Sequence, residues 1–220
     1  MRLIIGLIVV LFIAGCSSIP FKETGYVPID HEDPAAVAER YKNNIPEYIR
    51  IINTMVVEYN WKKFSCLGVI DINTTAGTYA AACLNPTGMK LFELSGNREG
   101  MDGYSVTGEF PHKEAFAGII GEDIQRIYFD LAPPLSATVK RKKYEIVFRL
   151  ESGPGATEYV FAGADAYLVK KNYYENNHLK WRVSYYEYKE KAGGIYPGGI
   201  IFNDFLYGYT VTLRLKEILN

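Results

Sequence analysis

The chain has 220 residues, with 24 Lys and Arg against 25 Asp and Glu, a formal charge of −1 at neutral pH. That balance lacks the basic footprint of a nucleic-acid-binding protein and argues against such a partner. The length suffices for one domain with a full core, and 18 Tyr within an aromatic content of 14% point toward β-structure.

Arg2 is the only charged side chain before Cys16, and Leu3 to Ile13 form an almost unbroken apolar run ending in Ile13-Ala14-Gly15-Cys16. A short positive region, an apolar run and small residues at a cut site make the secretory pattern. The run is shorter than the ~20 apolar residues that span a bilayer. Ala14-Gly15-Cys16 resembles the lipobox of bacterial lipoproteins, with Ile13 where that motif most often has Leu. The resemblance implies a signal peptide over residues 1–15 and a lipid anchor at Cys16, which receives a diacylglycerol and then an acyl group on its new amine. Several acyl chains together hold stably where one alone is marginal. The plainer alternative is an ordinary signal peptide with an incidental Cys. Ser17, where an Asp would imply inner-membrane retention, implies an outer-membrane, periplasm-facing lipoprotein.

Residues 16–32, with Pro20, Gly25 and Pro28 and no apolar period, read as a lipidated tether, leaving 33–220 as the folded domain. Asp33-Pro34 is an N-cap with Pro at the first helical position, opening a helix to about Asn43. Pro46 can restart it, with Tyr48, Ile51, Ile52 and Met55 on one stripe, and Met55 to Trp61 fits either the helix end or a first strand. Strands follow at Phe64–Ile72, Thr78–Leu84, Met89–Leu94 and Tyr104–Phe110, each bounded by Gly, Pro or Asn. Cys66 and Cys83 flank the turn Asn73 to Gly77 and are either disulfide-bonded, as an oxidising compartment permits, or two buried thiols.

Pro111 to Leu131 breaks the β pattern. Ala115, Phe116, Ile119 and Ile120 have helical spacing, Gly121 can cap that piece, and Ile124, Ile127, Tyr128 and Leu131 continue on a second short helix. Beyond Pro133-Pro134, Tyr144, Ile146, Phe148 and Leu150 alternate with polar residues, interrupted by Val147. Tyr159–Tyr167 and Trp181–Tyr188 are further strands, and Tyr207, Tyr209, Val211, Leu213 and Leu215 form the inward row of the last one. The expected fold is mainly β. Nine or ten strands in hairpin order form a single curved antiparallel sheet, an unclosed half-barrel lidded by short helices, with one face apolar and the other wet.

The order of elements resembles the LolA/LolB family of lipoprotein carriers and outer-membrane receptors. Three pieces carry it: Leu84-Asn85-Pro86-Thr87-Gly88-Met89 with Leu91 to Leu94, Trp181 to Tyr188, and Tyr196-Pro197-Gly198-Gly199-Ile200 leading into Tyr209–Leu215. The resemblance implies an unclosed barrel whose apolar cavity takes acyl chains. The lining would come from Tyr144, Ile146 and Phe148, from Val211, Leu213 and Leu215, and from Phe116, Ile120 and Ile127 on the lid. LolB presents an exposed Leu to the membrane; Thr87 stands at that position and Met89 lies two residues on. The implied partners are acyl chains or a lipoprotein, the membrane through the anchor, and a periplasmic carrier protein, with the domain a monomer. The alternative is a structural or assembly lipoprotein that docks an envelope protein without a ligand.

No enzyme is expected and no cofactor. His31 falls in the tether, His112 at a helix start and His178 in a polar turn; no nucleophile elbow, phosphate loop or metal-spaced Cys/His cluster is present. Glu122-Asp123 reads as a helix N-terminus, where acids suit the dipole. The run Lys140-Arg141-Lys142-Lys143 is either a solvated hairpin edge or a contact for anionic lipid heads or an acidic partner, and Tyr185, Tyr186 and Tyr188 either pack on the sheet or form an aromatic rim.

Overall fold

The structure is a computed structural model that describes residues 19–107, 113–191 and 193–219. The expected signal peptide, Cys16 and His112 lie outside the described residues. Helix α1 (Pro34–Asn44) opens as the sequence predicts: Asp33 accepts from the Ala36 N–H at 3.1 Å and Pro34 takes the first turn. A meander follows, β1 (Tyr48–Tyr59), β2 (Lys62–Asn73), β3 (Thr78–Leu84), β4 (Lys90–Asn97) and β5 (Gly100–Val106), and then helix α2 (Lys113–Tyr128). A second meander runs through β6 (Thr138–Lys142), β7 (Glu145–Ser152), β8 (Gly155–Ala162), β9 (Tyr167–Glu175) and β10 (His178–Tyr186). The small pair β11 (Lys189–Lys191) and β12 (Gly194–Tyr196) precedes β13 (Gly199–Asp204) and β14 (Tyr209–Ile218).

Twelve of these strands form one antiparallel sheet in the order β5-β4-β3-β2-β1-β14-β13-β10-β9-β8-β7-β6. The end strands β5 and β6 are not paired with each other, so the sheet stays an open half-barrel. They are nonetheless successive in sequence, and α2 lies in the connection between them, packed on β5 and β4 and reaching β9 and β10 at its C-terminal end through Lys171 and Tyr185. One continuous core lies on that face, with Ile72, Leu94, Ile146, Phe161, Leu168, Val183 and Phe202 almost fully buried.

Several expectations are corrected. The helix predicted to restart at Pro46 is strand β1: Ile49, Ile51, Asn53, Met55 and Val57 face inward, and β-branched residues favour the pleat. Asn53 hid the alternation, since a polar residue in the inward row is tolerated only because its side chain donates to the buried Tyr128 hydroxyl at 3.2 Å. The two short lid helices are one 16-residue helix. Gly121 does not cap it; it lies mid-helix where a Cβ would come within 2.6 Å of the Tyr79 hydroxyl. The single strand expected over Tyr159–Tyr167 is split between β8 and β9 by the turn at Gly163 (φ +84°) and Ala166 (φ +48°). Val147, which broke the polar row, joins Val160, Ala162 and Val169 in a small cluster on the outer face. Residues 19–33 are not a loose tether. Phe21 is buried against Tyr186, with ring centroids 5.4 Å apart, and under the Arg214 guanidinium, while Ile29 is buried and donates its N–H to Lys143 O at 2.9 Å. The strap thus runs across the outer face and round the rim into α1.

The basic run Lys140–Lys143 falls on the exposed edge strand β6 and its turn, with Lys142 paired to Glu145 at 2.8 Å, the placement that discourages edge-to-edge pairing.

The two lid glycines are predicted to respond oppositely to alanine. Nothing lies near a Cβ at Gly118, so Gly118→Ala should gain up to ~1 kcal/mol of helix propensity. Gly121→Ala should lose ~1–3 kcal/mol through overpacking against Tyr79. Urea unfolding of the two variants checks the sign of each.

Candidate functional site

The concave face beneath α2 is the candidate site. Ile127, Ile146, Phe148, Val211, Leu213 and Leu215 are buried in one cluster, with Phe116 and Ile120 half-buried against it. Tyr144 does not join them. It precedes β7 in the β6–β7 turn, 42% exposed, with the Lys143 ammonium over its ring. A small space of about 20 Å³ lies beneath the C-terminal end of the lid, room for about one water, and of the expected lining residues Ile127 alone borders it. Its walls include Tyr41, Ile51, Tyr128, Tyr185, Tyr188 and Tyr196. Sequence reasoning left out Tyr41, Tyr128 and Tyr196. Two of these carried a visible signal: Tyr41 lies one helical period from Val37 on α1, and Tyr128 falls on the apolar stripe of the lid.

The tyrosine hydroxyls there are satisfied inward. Tyr188 donates to Leu168 O at 2.7 Å, and its oxygen lies 3.0 Å from that of Tyr41. Tyr185 donates to Ile127 O at 2.7 Å. Of the three residues proposed for an aromatic rim, Tyr185 and Tyr188 therefore face the core, and Tyr186 stacks on Phe21 outside.

The lid is attached unevenly. Its C-terminal half carries a dense set of polar anchors. Gln125 donates to Asn97 O at 2.8 Å, Tyr185 to Ile127 O, and Asn53 to Tyr128. Lys171, 4% exposed, donates to Arg126 O at 3.2 Å and Phe129 O at 2.7 Å, capping the last carbonyls with a cation. Burial lowers the Lys171 pKa to about 8, so it remains largely charged at neutral pH. Among the described contacts of the N-terminal half are Phe116 edge-to-face with Phe92, the buried Ala117, and an exposed bond from Lys113 to Val106 O at 3.2 Å.

Asp123 was read as a first-turn acid; in the continuous helix it sits mid-helix and buried. It accepts from the Tyr209 hydroxyl at 2.6 Å and from Arg126 at 3.2 Å, and Arg126 also reaches the buried Asp204 at 3.5 Å. Burial drives its pKa up to about 7, against the opposing pull of Tyr209 and Arg126.

Elsewhere, Cys66 and Cys83 are joined as a disulfide between β2 and β3, with a Cα–Cα distance of 5.8 Å. Thr87 and Met89 are exposed in the β3–β4 turn, which Asn85 organises by accepting from both backbone N–H groups. Among the described residues no three His, Cys, Asp or Glu side chains converge as a metal site, and no helix is long and apolar enough to cross a membrane.

This arrangement of a wide open sheet around a crossing helix is found in solved structures. A LolA superfamily protein from Nitrosomonas europaea aligns over 84% of this chain and 91% of its own, with a TM-score of 0.54 and 10% identity. The chain shares its fold with that LolA superfamily protein. A DUF1329 family protein from Desulfovibrio piger aligns over 83% of this chain and 90% of its own, with a TM-score of 0.50 and 9% identity. No protein-family model and no curated protein sequence matches the chain. The LolA-like likeness thus lives in the path of the backbone, at an identity where side-chain roles have to be argued from this chain alone.

The Asp123 cluster predicts a pH dependence. The folded pKa, about 7, lies above the ~3.9 of an unfolded Asp. The folded state therefore holds the proton more tightly; the contribution is complete below about pH 4 and is lost as pH rises through about 7. The urea midpoint of the native chain should fall across that interval relative to Asp123→Asn, which carries no titrating group there.

Proposed function

We propose that this chain is a non-enzymatic, lipid-anchored carrier of the bacterial envelope. It binds acyl chains or an acylated protein under α2 and acts in lipoprotein or lipid transfer. Cys16 is its anchor in the outer membrane with the domain facing the periplasm, and a periplasmic carrier protein is the partner from which a monomer of this chain would receive cargo. The observation that carries the reading is the uneven attachment of α2 over an apolar face. Buried polar side chains pin the C-terminal half, from Gln125, Lys171, Tyr185 and Asn53, while the contacts described for the N-terminal half include the Phe116 ring on Phe92 and Lys113 on Val106 O.

Energetics sets what the lid must do. A buried methylene gains ~0.8 kcal/mol, so a chain of about fourteen carbons gains ~10 kcal/mol before ordering costs. The space beneath the C-terminal end of the lid, at about 20 Å³, has no room for such a chain. Cargo enters by lifting the Lys113–Ile120 end, with the pinned half as hinge, and the freed surface of Phe116, Ile120, Phe148 and Leu213 becomes the wall. On this reading Thr87 and Met89, exposed on the β3–β4 turn, stand toward the membrane.

The filled interior also favours a second reading, a lipoprotein that docks an envelope protein on its surface and takes no ligand. Native mass spectrometry separates the two. The chain from Ser17 to Asn220, which contains every described residue, is purified without detergent and titrated with a diacylated peptide. Co-purified acyl species or saturable one-to-one uptake is expected. Absence of both supports the docking reading and removes the carrier.

A further inference from the structure

One rim of the half-barrel carries apolar side chains that the fold does not use. The β1–β2 turn is a two-residue hairpin loop, Asn60-Trp61, closed by the pair Tyr59 and Lys62. Both loop residues have positive φ, +47° and +65°. That is the mirror-image turn whose second position Gly fills without steric cost. Here the position holds Trp61, fully exposed at 105%. A bulky aromatic in a left-handed conformation, touching no core, is strain without a folding return.

Next to it is a second tip. Tyr59 pairs with Tyr209, so the β13–β14 turn Phe205-Leu206-Tyr207-Gly208 stands beside Trp61. Phe205, Leu206 and Tyr207 are 51%, 61% and 58% exposed. The turn is built to hold them there. Buried Asp204 accepts from the Leu206 and Tyr207 N–H groups, both at 2.8 Å, and the Gly208 N–H closes onto Asp204 O at 3.0 Å.

We propose that the Trp61 turn and the Phe205–Tyr207 turn form a two-pronged wedge that inserts into the interface of a lipid bilayer. The chemistry matches that boundary. Trp and Tyr sit at headgroup depth, with an apolar body and a polar edge, while Phe and Leu reach below. Lys62, exposed beside Trp61, can bury its stem and leave its ammonium among headgroups. Two narrow hairpin tips suit a deformable lipid surface better than the flat, complementary patch that a protein partner needs.

The path of the strap agrees. Ile19 lines an outer-face groove that runs toward this rim past Thr212 and Thr210, and the next residue, Pro20, accepts from Arg214 on the same strand. Cys16 is three residues away, a span of at most about 11 Å. A lipid on Cys16 would bring this rim to the membrane rather than let the domain swing free. The wedge does not depend on acyl binding under α2, and a failure of either reading leaves the other standing.

Trp61→Gly is the decisive variant, because Gly is the residue the turn prefers and the fold is retained. The chain from Ser17 to Asn220, unlipidated, is floated with vesicles of phosphatidylethanolamine and a minority of phosphatidylglycerol. The native chain should bind and its tryptophan emission should move to the blue. Trp61→Gly and Leu206→Ser should each weaken partitioning by about tenfold or more. The urea midpoint of Trp61→Gly should be unchanged or higher. Tyr48→Ser removes an exposed ring at the opposite end of β1 and should bind like the native chain. Absence of native-chain binding, equal binding by the wedge variants, or an equal loss in Tyr48→Ser would each overturn the proposal.

Discussion

The two free edges of the sheet are consecutive in the chain, and that single constraint organises the molecule. β5 ends one meander and β6 starts the next, at opposite ends of the twelve-stranded sheet. The connection has to cross the concave face, and it does so as a helix, which satisfies its own backbone over apolar ground. The first and last long strands then meet at the centre, where β1 pairs with β14 from Ile51 to Tyr59. The lid is therefore the seam between two halves of the sheet.

Buried polar groups follow from this arrangement. Asn53, Asp123, Lys171 and Asp204 are among the few polar side chains buried in the domain. Three of them bond to α2 or lie on it, and Asp204 is tied to it through Arg126. Each is costly to bury alone and tolerable only while paired, so each fixes the position of the C-terminal half of the lid more sharply than apolar contacts would. Apolar contact is less directional and more readily exchanged for another apolar surface, and that is the kind of attachment the N-terminal half has.

Much of the architecture was legible in the sequence because it rests on local signals. Asp33-Pro34 marked α1, the Gly and Asn turns marked β2 and β3, and the alternation from Tyr209 to Leu215 marked β14. The failures come from tertiary compensation. Asn53 interrupts the inward row of β1 and is repaired by Tyr128 from the lid, a residue 75 positions away. Lys171 interrupts β9 and is repaired by the carbonyls of Arg126 and Phe129. Gly121 looks like a helix end and is instead the gap into which Tyr79 fits. The strap reads as a tether because its two anchors, Phe21 and Ile29, sit in short apolar patches broken by Pro20, Gly25 and Pro28, with no helical or strand period. In the site, inward rows on single strands were readable; the tyrosine walls and the polar pins, assembled from α1, α2, β1 and the second meander, were not.

The central claim is that α2 has a fixed half and a releasable half, and amide hydrogen exchange resolved along the helix tests it most directly. In the ligand-free chain the amides of the first half, up to Ile120, should exchange well before those of Ile124 to Tyr128, and a diacylated peptide should change protection chiefly in the first half. Uniform protection along α2 that an acylated ligand leaves unaltered would contradict the account.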